Sequence, residues 1–520
     1  MNAQVDLIPE GAPFEAEQRA WLNGLISALA GWEGSLGGAA SQEKPKESFP
    51  WHDPNMQMGE RMALAEGKPH ERRLMAAMAQ LDCGQCGYLC KTYAEAIAFN
   101  GEDLNRCVPG AKETERKLKE LVGAEKAAKS SADTDAKPAA APQPKLKGPL
   151  GSRDNPYRAC LNSSTPLNKE GSTRDTRHVV IELGDSGITY RAGDSIGIYP
   201  ENDPKVVDAI LEALGVSGGE TVKAPDGENK LLRQVLLKEL DITKPADDCL
   251  ACLAESAADA DEAEDLAMLS RSGAEEGQGL LELLRVYPSA RPDVQSLVSG
   301  LTGLQPRLYS ISSSPRKYPT EIHTTVAVLK AAIYGRGYKG VASTFLAKRL
   351  NRGGEVPVYL QPTEGFRLDE DADAPAIMIG PGTGIAPFLA FLQEGEARGD
   401  AGRNWLFFGN PKSTTDYIYQ QSLEAWRKSG LLARLTLAFS RDQEDKVYVQ
   451  NRMLEMAEEF WMWLEAGAVI YVCGDAERMA KDVDRALHRI VAEQGGLSEQ
   501  KAAAYVKRLS EQGRYLRDVY

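Results

Sequence analysis

A chain of 520 residues with a formal net charge of -14 has room for several domains and repels nucleic acid. No run of about 18 apolar residues is present to span a bilayer. The opening Met-Asn-Ala-Gln-Val-Asp lacks the basic start and apolar centre of a secretory signal, so a cytoplasmic location is expected. Eight cysteines in such a chain point to metal or redox chemistry before disulfides, and four of them fall between residues 83 and 107.

In chain order, Trp21, Leu22, Leu25, Ile26 and Leu29 recur at helical spacing and predict an amphipathic helix over 14–30, within an N-terminal helical segment spanning 1–75. A second helix is expected over about 58–80. It leads into Cys83-Gly-Gln-Cys86-Gly-Tyr-Leu-Cys90, closed by Cys107-Val-Pro-Gly. Three close thiolates and one distant one suit the corners of a [4Fe–4S] cube, and Gly84 and Gly87 let the backbone wrap tightly. Zinc is the rival, although structural zinc usually shows two C-x2-C pairs. The run C-G-Q-C-G-Y, then Cys, then Tyr93-Ala-Glu-Ala-Ile97, then Cys-x-Pro-Gly resembles the small four-cysteine domain of corrinoid iron–sulfur proteins and Rnf-type complexes. The expected domain is 76–121. From 122 to 147 the Ala-, Lys-, Ser- and Pro-rich composition predicts a flexible linker.

Hydrophobic alternation returns near 150. Strands are expected at 178–183, 194–200, 307–313, 321–329 and 355–361, which suits an antiparallel barrel over 148–365. Ala- and Leu-rich sequence at about 203–300 reads as a helical insert. Its Cys249 and Cys252 are expected to pack rather than react. Arg307-Leu308-Tyr309-Ser310 combines a phosphate-binding fork, a flat ring and a hydroxyl within one strand, which is what gripping FAD needs. Gly340-Val341-Ala342-Ser343 opens a helix to Leu350 and offers an anion seat.

Residues 366–520 alternate strands at 376–379, 404–408, 435–440 and 469–473 with helices, as in a doubly wound parallel sheet. The first strand ends in Gly380-Pro-Gly382-Thr383-Gly384, glycines that let backbone amides approach a pyrophosphate. Arg441, Lys446 and Tyr448 follow the third strand and supply the cations and ring that a 2′-phosphate and adenine need. The expected fold is therefore multidomain, α+β and α/β, with a small helical iron–sulfur domain, an antiparallel β-barrel FAD domain carrying a helical insert, and a doubly wound NADP-binding domain.

The motifs R-L-Y-S, I-M-I-G-P-G-T-G-I-A-P-F, W-L-F-F-G-N-P, S-R-D-Q, K-V-Y-V-Q, Y-V-C-G-D-A-E-R-M-A-K-D-V and R-D-V-Y resemble the flavoprotein subunit family of assimilatory NADPH–sulfite reductase, within the ferredoxin–NADP reductase and diflavin reductase superfamily. That resemblance implies FAD contacts at Arg307, Leu308, Tyr309, Ser310, Thr325, Val326, Ala327, Gly340, Val341, Ala342, Ser343 and Tyr520. It implies NADPH contacts at Gly380, Gly382, Thr383, Gly384, Ser440, Arg441, Lys446, Val447, Tyr448, Val449, Gln450 and Asp482. Ser310, Cys473, Asp518 and Tyr520 match the catalytic group around the hydride path. Such flavoproteins carry an FMN-binding flavodoxin domain ahead of the barrel, where this chain has its cysteines. The expected cluster ligands are Cys83, Cys86, Cys90 and Cys107.

The expected activity is an NADPH-dependent reductase passing electrons from FAD through [4Fe–4S] to a sirohaem sulfite reductase subunit, in cysteine biosynthesis. A ferredoxin, cytochrome or nitrogen-oxide enzyme is the alternative acceptor. A redox-sensing or assembly subunit is the alternative of another class.

Overall fold

The computed structural model describes residues 49–520 apart from 53–55, 83, 85, 133–147, 276, 334–335, 364, 369–373 and 401. The helix expected at 14–30, Cys83 and most of the expected linker therefore lie outside the described residues. Trp51–Tyr520 form one compact unit.

Where one helix was expected over 58–80, two short ones form, Met58–Leu64 and His70–Ala76. Gly67 takes a left-handed φ of 71°, and Pro69, which has no N–H to donate, caps the second helix. The cysteine region continues as helix Cys90–Asn100, stopped by left-handed Gly101. Helix Ala111–Ala132 follows, and it corrects the linker, which cannot begin at 122. Ala, Lys and Glu there have high helix propensity without an apolar period, so propensity prevailed over pattern.

The FAD-type region is built on a six-stranded sheet of β1 (Tyr157–Pro166), β2 (Thr176–Glu182), β3 (Ser195–Ile198), β6 (Arg307–Ser310), β7 (Glu321–Ala327) and β10 (Glu355–Gln361), in the order β6-β3-β10-β1-β2-β7. All its pairings are antiparallel. Alternate side chains face a shared apolar core; Ile196, Ile198, Ile322, Val326, Val356 and Val358 all join it. Strand β1 was not expected; its second half is Asn-Ser-Ser-Thr, and a bulge at Leu161–Ser163 breaks the alternation.

The insert holds a separate core of leucines under helices from Pro204–Leu214 to Val294–Gly300, with a small hairpin of β4 (Thr221–Lys223) and β5 (Asn229–Leu231). Cys249 is buried in that core, and burial pushes its thiol up to about 12, as packing without reactivity requires. Beyond β7, β8 (Lys330–Ile333) and β9 (Arg336–Lys339) form a hairpin. The helix expected from Gly340 is present as Val341–Thr344 followed by a π-helical turn, Phe345–Arg349.

The nucleotide region is a five-stranded parallel sheet of β11 (Ala376–Ile379), β12 (Asn404–Asn410), β13 (Leu432–Phe439), β14 (Val469–Gly474) and β15 (Tyr515–Val519), ordered β13-β12-β11-β14-β15. Both faces are apolar. Ile377 and Ile379 enter one core while Ala376 and Met378 enter the other, so helices cover each side. The order reverses direction at β11, and a ligand crevice forms at such a switch point. The fifth strand, β15, was not expected.

Candidate active site

The cavity forms where three regions meet. Tyr309 and Ser310 come from β6, Thr325 and Ala327 from β7, Thr383 and Ala386 from the glycine turn after β11, and Asp518 and Tyr520 from β15 and the residue after it. Its volume is about 200 Å³. Asp82 and Leu89, from the cysteine region, complete the wall.

Ser310 Oγ donates to Asp518 Oδ2 at 3.0 Å. Cys473 Sγ approaches the same oxygen at 3.7 Å because Cys473 and Asp518 are register partners in β14 and β15. Burial lifts the Asp518 carboxyl above the usual carboxylate range, and the bonds from Ser310 and Cys473 only partly offset it. Burial also holds the Cys473 thiol well above its ordinary value, with the Asp518 charge adding to the effect. The three side chains thus form one hydrogen-bonded group, of which Ser310 and Asp518 line the cavity and Cys473 does not. Tyr520 is held by backbone bonds, its N–H to Gly474 and its carbonyl from Ala476. Its hydroxyl lies 2.9 Å from Thr383 Oγ1.

The glycine turn works by close approach. A Cβ on Gly384 would overlap the Cys473 carbonyl, and one on Gly380 would come within 2.5 Å of the Gly384 carbonyl. Gly382 has φ 61°. At the far side of the sheet, the Ser440 and Arg441 amides bond the Asn410 and Pro411 carbonyls. Arg441 and Lys446 are exposed, and Tyr448 is 44% exposed.

The other expected contact residues are placed as follows. The Val326 and Val449 side chains join the apolar cores. Asp482 is already engaged by Gln450 Nε2 at 3.1 Å and by Arg485. Ser343 Oγ accepts from the Leu329 N–H at 3.2 Å, and Ala342 is buried. Leu308 lines the cavity, whereas Arg307, Gly340, Val341 and Val447 do not border it. Missed by sequence reasoning were Asp82, Leu89, Ser195 and Thr363 in the cavity wall, and Tyr419, whose hydroxyl joins Thr325 Oγ1 at 2.8 Å to His178 Nδ1 at 3.0 Å. Only Asp82 and Leu89 carried a signal, their places beside Cys83 and Cys90.

Residues 151–345 match the FAD binding domain family, 378–485 the oxidoreductase NAD-binding domain family, and 78–109 the putative Fe-S cluster family. The sulfite reductase [NADPH] flavoprotein alpha-component of Vibrio cholerae serotype O1 is 45% identical over 375 residues, 71% of this chain and 60% of that protein. The reductase portion of the chain is thus similar to the sulfite reductase flavoproteins. The Bacillus subtilis member is 41% identical over 396 residues, 73% of this chain and 64% of its own length, and the Salmonella typhi member 42% over 373 residues, 71% and 61%. The chain thus spans 60 to 64% of the length of these family members.

The residues present fit the groups that the family implies. The turn at Gly380–Gly384 is a cradle that side chains would fill, as a pyrophosphate seat requires. The cavity pairs the Tyr309 ring with the hydroxyls of Ser310, Thr325 and Thr383, suited to a polar-edged flat ring. For a cluster, Cys86 and Cys107 are buried, and the Cys86 thiol is pushed up to about 11 by burial, with the Cys107 charge adding to it. A buried thiol held protonated in this way is what a bound cation relieves. Among the described residues no set of three or more metal-ligating side chains gathers, and Cys83 lies outside them.

Proposed function

We propose that this chain is an NADPH-dependent reductase that passes electrons by way of FAD and a [4Fe–4S] cluster to a sirohaem sulfite reductase subunit in the cytoplasm. The observation that carries the reading is the shared cavity, where residues of the flavin strands, the nucleotide region and the cysteine region line one space. Bound FAD would supply hydride acceptance and single-electron release, and a bound four-iron cluster would supply one-electron uptake. The chain's own residues bind, orient and hold protons. Tyr309, Ser310 and Thr325 position the flavin ring. The Gly380–Gly384 turn receives the pyrophosphate of NADPH, and Arg441, Lys446 and Tyr448 its 2′-phosphate and adenine. Asp518, with Ser310 and Cys473, holds a proton beside the reacting edge, and Tyr520 covers the ring until nicotinamide arrives.

The domain reading is 76–121 for cluster binding by Cys83, Cys86, Cys90 and Cys107, 148–365 for FAD and 366–520 for NADPH. The bridge between Ile311 and Thr324, joining the segment after β6 to β7, supports closing the six-stranded sheet into a barrel. The acceptor assignment rests on the names of the relatives.

The test mixes purified protein, NADPH and a sirohaem sulfite reductase subunit and measures sulfide. Sulfide production with bleaching of both flavin and iron–sulfur absorbance is expected. No sulfide, together with fast reduction of a ferredoxin or cytochrome, would replace the acceptor and leave the reductase intact.

A further inference from the structure

The cysteine turn and the flavin strand touch through one arginine. Arg153 lies at the start of the FAD-type region, its carbonyl fixed by the Tyr199 hydroxyl at 3.0 Å. Its guanidinium carbon sits 3.5 Å above the centre of the Tyr88 ring. The same guanidinium donates to the Gly87 carbonyl, to the Tyr359 hydroxyl at 3.3 Å and to Gln305 Oε1 at 3.4 Å. Tyr359 in turn donates to the Gly87 carbonyl at 2.7 Å. Gln305 Oε1 also accepts from Arg106, the residue before Cys107, at 2.6 Å.

One patch of barrel thus grips both cysteine-bearing turns, the one holding Cys86 and the one holding Cys107. The approach is close. A Cβ on Gly84 would come within 2.5 Å of the Leu308 side chain, and one on Gly87 within 2.6 Å of Arg153 Nη1. Leu308 neighbours Tyr309 in β6, so Gly84 rests directly on the strand that lines the cavity. A planar fork that also stacks on a ring can hold a carbonyl, an amide and an aromatic face together, which an ammonium cannot.

We propose that Arg153 is a positioning residue that seats the cysteine segment on the flavin strand and thereby sets the rate at which electrons leave the flavin. The proposal rests on the reductase reading above. In balance, NADPH loses a hydride to become NADP+, and its two electrons cross the seat one at a time to two one-electron acceptors, with one proton released. Arg153 does not line the cavity. Its effect falls on the second transfer alone.

The test is rapid mixing of the holoprotein with NADPH, following flavin and cluster absorbance separately, for wild type and Arg153→Ala. Flavin reduction is expected to keep its rate, while cluster reduction slows about tenfold or more. Iron content and the cluster's spin-resonance signal should be unchanged. Amide hydrogen exchange over 305–310 should rise in the variant, a readout independent of turnover. If Arg153→Ala loses iron, Gln305→Ala, which lies outside the cysteine segment and removes one bond each from Arg153 and Arg106, takes its place with the same expected split.

Unchanged cluster reduction in an iron-replete variant, or equal slowing of both phases, overturns the proposal. A wild type whose flavin bleaches while its cluster never does overturns the relay itself, and the rate-setting role of Arg153 with it. These two failures are distinguishable because the first is seen only in the variants.

Discussion

Ser310 Oγ donates to Asp518 Oδ2 across 3.0 Å although 208 positions separate the two residues. The bond ties β6 to β15 at the edge of the nucleotide sheet, so one hydrogen bond joins the two regions at the cavity. Asp518→Asn keeps the size and removes the titratable proton. Flavin reduction by NADPH is expected to slow by about ten- to a hundredfold, with little change in the NADPH concentration giving half the maximal rate. Stopped-flow absorbance measures both. A raised half-saturating concentration with an unchanged maximal rate would make Asp518 a binding group only.

Arg441 and Lys446 are exposed beyond β13, and neither forms an ion pair among the described residues. Both are available to a 2′-phosphate. Replacing the two with Ala should cost NADPH about 3 kcal/mol of binding, over a hundredfold, and leave NADH nearly unchanged. Steady-state kinetics with each nucleotide would decide it. Equal losses for both would remove these residues from phosphate recognition.

Gly384 and Gly382 predict different costs. The Cβ of Gly384→Ala would meet the Cys473 carbonyl, which belongs to the sheet and cannot step aside. At Gly382 the space is open and only the φ of 61° is strained. Gly384→Ala should therefore cost about 3 kcal/mol and Gly382→Ala about 1. Thermal melting of the two variants tests the order, and a reversed order would mean that the turn is looser than its geometry.

His178 gives a pH dependence. Burial, with the nearby His323 adding to it, lowers its ring to about 4. The fold thus refuses a proton that the unfolded chain accepts near 6.5. Stability is complete above about 6.5 and is lost as pH falls towards 4, by up to about 3 kcal/mol. Urea unfolding of wild type against His178→Gln across that window should show a shallower slope in the variant. Identical slopes would place the titration elsewhere.

The chemistry-bearing strands were readable because their signals are local. Tyr309 and Ser310 sit on one strand, and Gly380, Gly382 and Gly384 bring the nucleotide turn into view at a strand end. Strand β15 was not readable, because Arg517 and Asp518 interrupt its apolar pattern and its role comes from pairing with β14. Helix Ala111–Ala132 was legible only in part, because its far end has helix propensity and no apolar stripe. Arg153 could not be found at all, and Asp82 only by its place beside Cys83. The partner of Arg153 on the cysteine turn lies 66 positions away, and the cavity that Asp82 lines is built by strands that follow more than 100 residues later.

The wall that Asp82 and Leu89 add to the cavity has a consequence for oxygen. Dioxygen is small and apolar, and it drains electrons from any reduced flavin it reaches. An apolar side chain closing that wall therefore limits leakage as well as shaping the pocket. Leu89→Ala should yield more hydrogen peroxide per NADPH consumed, in air and without an acceptor, than the wild type does. An unchanged peroxide yield would mean that gas enters by another route. On the proposed reductase function, the tightness of this wall would set how much of each NADPH is spent on oxygen.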